Sequence, residues 1–365
     1  MSLNIVFLGL SITSSWGNGH ATTFRALIRA LAAEGHRVTF LERDMPWYAA
    51  NRDLPDPPWC RTHLYDSVVD LQDRYIALVR HADAVIVGSF VPDGVEVGAW
   101  VREVACGTVA FYDIDTPVTL AKLERGDHEY ISPNCIRGYD LYLSFTGGPT
   151  LRRLETDLGA PMARALYCSV DPDAYFPDEA AEPAWDLGYL GTWSADRQPT
   201  VDRLLNEPAR RVPAGRFVVA GPQYPDDTPW PANVERIDHL PPAAHRSFYT
   251  RQRFTLNVTR ADMVAAGWAP SVRLFEAAAC GTPIISDWWT GLDTLFKPGE
   301  EILIGDSPET VTEILTLMPE ARRRAIGRAA RERILSAHTA SHRARELVVH
   351  LHDAAAVRLQ ARTVG

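Results

Sequence analysis

Apolar residues in this chain alternate between short unbroken runs and longer stretches in which they recur every three or four positions. Residues 4–10 form the first run, 21–34 carry helical spacing, and 37–42 form a second run. This order predicts a strand, a helix and a parallel strand. Further strands are predicted at 84–88, 108–112 and 141–144, each preceded by a helical stretch, so the first half reads as a doubly wound parallel sheet. The segment from Val170 to Asp178 breaks the pattern with two prolines and three acids, and marks a crossing between domains. The pattern then restarts, with strands at 187–191, 216–220, 254–258 and 283–286 and helices near 200–205 and over 272–279. Two Rossmann-like domains, 1–170 and 171–337, are expected. Helices over 319–336 and 340–362 end the chain, with 338–365 as a separate closing segment, and Arg322, Arg323 and Arg324 read as a solvated face.

Composition narrows the function. The 365 residues are 46% hydrophobic, enough for two cores of ordinary size. A formal net charge of −9 supplies no basic field for nucleic acid, so any phosphate site must be local and built from a few arginines. The opening MSLNIVFLGL has no basic leader and reads as a first strand rather than a signal peptide; no run is long enough to span a bilayer. Cys60, Cys106, Cys135, Cys168 and Cys280 are scattered without metal-ligand spacing, as expected of reduced, buried thiols in a cytoplasmic protein. No metal site is expected.

The segment from Ser271 to Asp287 carries most of the chemistry. Pro270 is suited to open a helix, which leaves the amides of Ser271, Val272 and Arg273 free to meet an anion such as a diphosphate. Glu276 follows within two turns, where a carboxylate takes sugar or ribose hydroxyls, and Gly281 ends the helix. The alternative is an ordinary helix with a salt-bridged Glu. This segment resembles the donor-binding motif of GT-B glycosyltransferases, specifically group 1 transferases in the branch that includes CgeB-type spore maturation proteins. The resemblance is strongest over 186–304. It implies an α/β GT-B fold, with two Rossmann-like domains facing a cleft and a last helix that crosses back to the first domain. The family's usual second Glu, eight residues before Glu276, is Trp268 here, which leaves retention or inversion of the anomer open.

Four loops extend the donor side. A strand ending in small residues lets backbone amides approach phosphate, with Arg197 adding a bidentate cation; the resemblance implies that Gly191, Thr192 and Arg197 touch the donor diphosphate. Arg260 ends a strand where open sheets bind ligands, and with Arg273 it is a further phosphate candidate. The resemblance places the loop with Gly221 and Tyr224, and the loop with His239 and Leu240, around the nucleobase.

In the first half, Gly17, Asn18 and Gly19 allow a ligand close to the backbone, and the resemblance turns this loop to the acceptor side with His20 near the transferred sugar. The loop lacks GxGxxG, with Thr22 where the third glycine belongs, so a nicotinamide dinucleotide is disfavoured although Glu42 ends the second strand. Asp113 and Asp115 follow a strand, alternation puts both on one side, and Asp113 is expected among the acceptor-side residues. Asp115 is suited to general-base work or to capping the next helix. Metal-independent transfer of a sugar from a nucleotide-sugar donor (UDP, GDP, ADP or dTDP) to a small-molecule, glycan or peptide acceptor is the expected activity, with Glu276, Asp115 and His20 as its catalytic candidates and no cofactor. A non-catalytic or spore-associated binding protein and a GT-B sugar-nucleotide epimerase are the alternatives.

Overall fold

A computed structural model describes residues 2–17 and 19–364, with side chains to residue 360. The chain divides into two compact units: one runs through Cys168 and resumes at Ala340, the other spans Ser169–Thr339.

The first unit is built on seven parallel strands: β1 (Asn4–Gly9), β2 (Arg37–Arg43), β3 (Arg61–Tyr65), β4 (Ala84–Gly88), β5 (Thr108–Asp113), β6 (Leu141–Ser144) and β7 (Ala163–Ala165). Their order is β3-β2-β1-β4-β5-β6-β7, with Ile5 facing Val38 on one side and Ala84 on the other. β4, β5 and β6 are buried throughout, as near-continuous apolar runs in a parallel sheet require. One face packs Leu8, Val87, Phe111 and Trp100; the other packs Phe7, Phe24, Phe40 and Ile86. The closing helix Ala340–Val364 lies on the helix His20–Ala33 and buries Ala344, Leu347, Leu351 and Ala354 in the second of these cores. Arg358 pins it to Asp140 at 2.9 Å.

The second unit repeats the design with β8 (Trp185–Leu190), β9 (Phe217–Ala220), β10 (Val234–Ile237), β11 (Gln252–Asn257), β12 (Ile284–Ser286) and β13 (Leu303–Ile304), ordered β10-β9-β8-β11-β12-β13 and all parallel. The order reverses between β8 and β11, and ligands of open sheets bind at such a switch point, beyond the carboxyl ends of the strands.

Three details differ from the expectations above. The stretch near 200–205 is a helix (Gln198–Val201), a wide turn (Asp202–Asn206) and a second helix (Glu207–Arg211). Pro208 has no amide to give the preceding turn, and the backbone widens to accommodate it. The helix Val272–Ala279 is opened by Ser271 as its N-cap rather than by Pro270. Cys106 is exposed and Cys60 half-buried, so Cys135, Cys168 and Cys280 are the buried thiols; none of the five forms a disulfide.

Candidate functional site

Three arginines gather around the carboxyl ends of β8 and β11. Arg273, in the first turn of Val272–Ala279, points inward: Nε donates to the Leu190 carbonyl at 2.6 Å, Nη1 to Asn257 Oδ1 at 2.8 Å, and the guanidinium lies 4.9 Å from the Tyr189 ring centre. Among the described residues its Nη2 has no acceptor, and the buried Tyr189 hydroxyl has no partner. Both sit beneath Gly191, where an added Cβ would fall 2.6 Å from the tyrosine oxygen and 3.0 Å from Nη2, so only glycine lets the backbone lie this close.

Arg197 is half-buried. Its Nε donates to Ser194 Oγ at 2.9 Å and its Nη2 to the Thr192 carbonyl. Burial, followed by the charges of Arg273 and Arg260, lowers the Arg197 pKa, so the three cations share one field. Arg260 stands in extended backbone at the start of the helix Ala261–Ala266. Ser271 Oγ takes the Arg273 amide at 3.4 Å, which leaves the amides of Ser271 and Val272 without acceptors among the described residues. The helix N-terminus therefore offers two open donors rather than the three expected.

The neighbouring loops are locked to one another. Tyr224 donates to the Gly191 carbonyl at 3.2 Å, and Arg236 stacks over Tyr224 at 4.2 Å while holding the Gly221 carbonyl at 2.9 Å. Gly221 adopts φ 141°, and a Cβ there would meet the Gly191 carbonyl oxygen at 2.1 Å. Thr192 is half-buried, His239 exposed and Leu240 half-buried.

Glu276 is enclosed, with 4% of its surface exposed. The Tyr249 hydroxyl donates to its Oε2 at 3.1 Å, His245 Nδ1 lies 3.6 Å from the same oxygen, and the Tyr175 hydroxyl, 3.4 Å from His245 Nδ1, stands beside the carboxylate. None of these three partners follows from sequence spacing, because they come from the domain crossing and from the separate helix Pro242–Thr250. Their signal was indirect: a carboxylate in an apolar helix needs hydrogen-bond partners. Trp268, where the resemblance had a glutamate, takes φ 43° and packs on Gly291, whose Cβ would fall 2.5 Å from its Cδ1.

In the first unit, Glu42 is fully buried at the end of β2 and organises the loop after β1. Its carboxylate accepts from the amides of Ile12 (2.6 Å) and Thr13 (3.0 Å) and from the hydroxyls of Ser11 (3.0 Å) and Thr13 (2.7 Å). Arg25 reinforces the loop through a bidentate pair with Asp53, which also accepts from Ser15. Gly17 is exposed at φ 66° and Gly19 precedes the helix; Asn18 lies outside the described residues. His20 begins the helix, edge-on to Phe90 at 5.4 Å, and its buried Nδ1 has no partner among the described residues. Burial lowers its pKa to about 4, so it is neutral at physiological pH.

Asp113 and Asp115 separate. Asp115 is half-buried at the start of the helix Thr116–Glu124 and its side chain does not cap it. Asp113 is fully enclosed: Oδ2 accepts from Tyr142 at 2.5 Å, and Oδ1 from Thr119 Oγ1 at 2.8 Å and the Asp115 amide at 3.2 Å. Asp113 is thus a buried anchor rather than an acceptor-side group. Among the described residues no cluster of His, Cys, Asp or Glu is placed to hold a metal, and no helix is long and apolar enough to cross a membrane.

A family described as glycosyl transferase-like matches residues 197–348. No curated protein matches the chain by sequence. Solved structures similar over nearly the whole chain include sucrose-phosphate synthase of Thermosynechococcus elongatus (15% identity, TM-score 0.68, 99% of this chain and 100% of that one). Anabaena HepE in complex with UDP-glucose is similar at 12% identity and TM-score 0.69, over 96% and 100%. An alpha-glucosyltransferase in complex with UDP-glucose and DNA containing an abasic site is similar at 14% and 0.68, over 96% and 100%. The fold is that of GT-B glycosyltransferases, with two Rossmann-like parallel-sheet domains.

Proposed function

We propose that this chain is a glycosyltransferase that moves a sugar from a nucleotide-sugar donor, held by the second unit, to an acceptor held by the first. The observation that carries this reading is the set of unspent donors at the β8/β11 switch point: the Ser271 and Val272 amides and Arg273 Nη2, within the field of Arg197 and Arg260. Such a set suits a diphosphate, whose charge grows as the glycosidic bond breaks, and fixed donors there lower the barrier without a metal ion. Glu276 holds donor hydroxyls, and Gly191 and Thr192 line the diphosphate. His239 and Leu240 border the nucleobase. The bound UDP-glucose of the two GT-B neighbours supports a nucleotide-sugar donor.

On the acceptor side, Asp115 and His20 are the candidate bases for the nucleophile's proton, and the lowered pKa of His20 keeps its imidazole neutral and able to accept one. Gly17, Gly19 and Asn18 border the acceptor. The net charge of −9 disfavours a nucleic-acid acceptor, and a CgeB-type cytoplasmic transferase remains the finer reading.

Thermal-shift measurements with UDP, GDP, ADP, dTDP and NAD test this directly, since a ligand of the native state raises its midpoint. A rise with one nucleoside diphosphate names the donor base; no rise with any of them, or a rise with NAD alone, overturns the reading. Glu276→Ala is expected to lose transfer at least about a hundredfold, as removal of a group that positions a substrate does, while circular dichroism stays unchanged. Wild-type rates in that variant would remove Glu276 from the mechanism. Anomer analysis of the product then distinguishes retention from inversion at a site with Trp268 in place of a carboxylate.

A further inference from the structure

His245 stands between two parts of the donor site that the chain brings in separately. Its Nδ1 lies 3.6 Å from Glu276 Oε2 and 3.4 Å from the Tyr175 hydroxyl, and its Nε2 lies 3.3 Å from the Leu240 carbonyl. Both ring nitrogens therefore face acceptors. A neutral imidazole carries one N–H and serves one of them, whereas an imidazolium donates to both.

We propose that His245 is a positioning residue whose protonated ring ties the 238–241 loop to the Glu276 carboxylate, so that donor affinity depends on its protonation. The inference rests on the donor-site reading above. Among the described residues the loop has few other ties: Asp238 and His239 are exposed, and Asp238 pairs with Arg236 at 3.6 Å. Without the second hydrogen bond either the Leu240 carbonyl or the Glu276 carboxylate is released, and the loop that borders the base loses its register with Glu276.

The groups facing the ring come from every element around it. Tyr175 belongs to the domain crossing, the Leu240 carbonyl to the loop before the ring's own helix, and Glu276 and Arg273 to the helix Val272–Ala279. The adjacent Arg246 turns away onto Phe176 and Asp178. Burial and the Arg273 cation oppose the charge; the bond to Glu276, its charge and the Leu240 carbonyl favour it, and the balance raises the His245 pKa above its ordinary 6.5. The doubly bonded state is therefore present at lower pH and is lost as pH rises through the raised value.

The test is calorimetric titration of UDP, GDP, ADP and dTDP into wild type, His245→Gln and His245→Asn from pH 5.5 to 9. The titration of the β-phosphate is common to all three proteins and cancels in the ratio of variant to wild-type Kd. That ratio is expected to be about tenfold near pH 6, the worth of one charge-assisted hydrogen bond, and to approach one by pH 9. A ratio independent of pH, or equal to one throughout, overturns the role of His245 while leaving the donor site standing. Failure of wild type to bind any of the four at any pH overturns the donor site itself, and this inference with it. Imidazole nitrogen shifts of the wild type check the same point without a variant: one ring is expected to stay doubly protonated above pH 6.5 and to lose this in Glu276→Gln. Normal titration of all rings in the wild type overturns the proposal.

Discussion

Asp113 shows where reading single residues succeeds and where it fails. Strand alternation placed it with Asp115, but β5 ends at Asp113, and by Asp115 (φ −142°, ψ 54°) the chain is already turning into a helix, so alternation no longer applies. Burial raises the Asp113 pKa to about 6, against the partial relief from Tyr142, Thr119 and the Asp115 amide. The folded state thus binds a proton more tightly than the unfolded one, and stability falls as pH rises from about 4 to about 6, by about 3 kcal/mol in all. Asp113→Asn, the uncharged mimic, is expected to flatten that slope in urea titrations across this range; an unchanged slope would assign it to another group. Gly191 was legible as a residue that lets backbone approach a ligand, but its tightest neighbours are Tyr189 and Arg273 beneath it. Gly191→Ala is expected to cost about 1–3 kcal/mol through overpacking and to weaken nucleoside diphosphate binding, both readable in one thermal-shift series.

At the scale of elements, the strands that were legible are the interior ones. The four that were not (β3, β7, β10 and β13) are the two edges of each sheet. An interior strand is covered on both faces and shows an unbroken apolar run, whereas β3 alternates and β10 is half-exposed along its length. The loop after β1 was read as open and glycine-rich, and its order comes from Glu42, thirty residues away, which the sequence offered only as a dinucleotide signal. Glu42→Ala leaves two amides and two hydroxyls without their acceptor. At about 1–3 kcal/mol for each buried group so orphaned, a loss of at least about 3 kcal/mol is expected in chemical denaturation. Nucleoside diphosphate binding, proposed for the other unit, should persist below the new midpoint.

Across the whole molecule, backbone strain collects where ligands are expected. Of the non-glycine residues with positive φ among those described, Phe90, Asp93 and Gln223 lie in the loops beyond β4 and β9, and Trp268 lies between the helices Ala261–Ala266 and Val272–Ala279, the second of which carries Arg273. Such conformations persist only where the surroundings enforce them. The last helix contributes to the first unit through Leu347 and Leu351, which are almost fully buried against the helix that begins at His20. Leu351→Ala is expected to cost about 2–5 kcal/mol and to lower the unfolding transition of the first unit alone. A calorimetric scan checks this, with the second transition, identified by its response to nucleoside diphosphate, staying in place.

The return of that helix also has a consequence for biosynthesis. The first unit lacks a wall of its core until Ala340 onward has left the ribosome, and Ser169–Thr339 must be translated first. At about 5–20 residues per second, this leaves the apolar face of the helix His20–Ala33 uncovered for roughly ten to thirty seconds on every nascent chain. The second unit has no such wait, since its sequence is continuous, and it is complete on emergence while the unit made before it is still open.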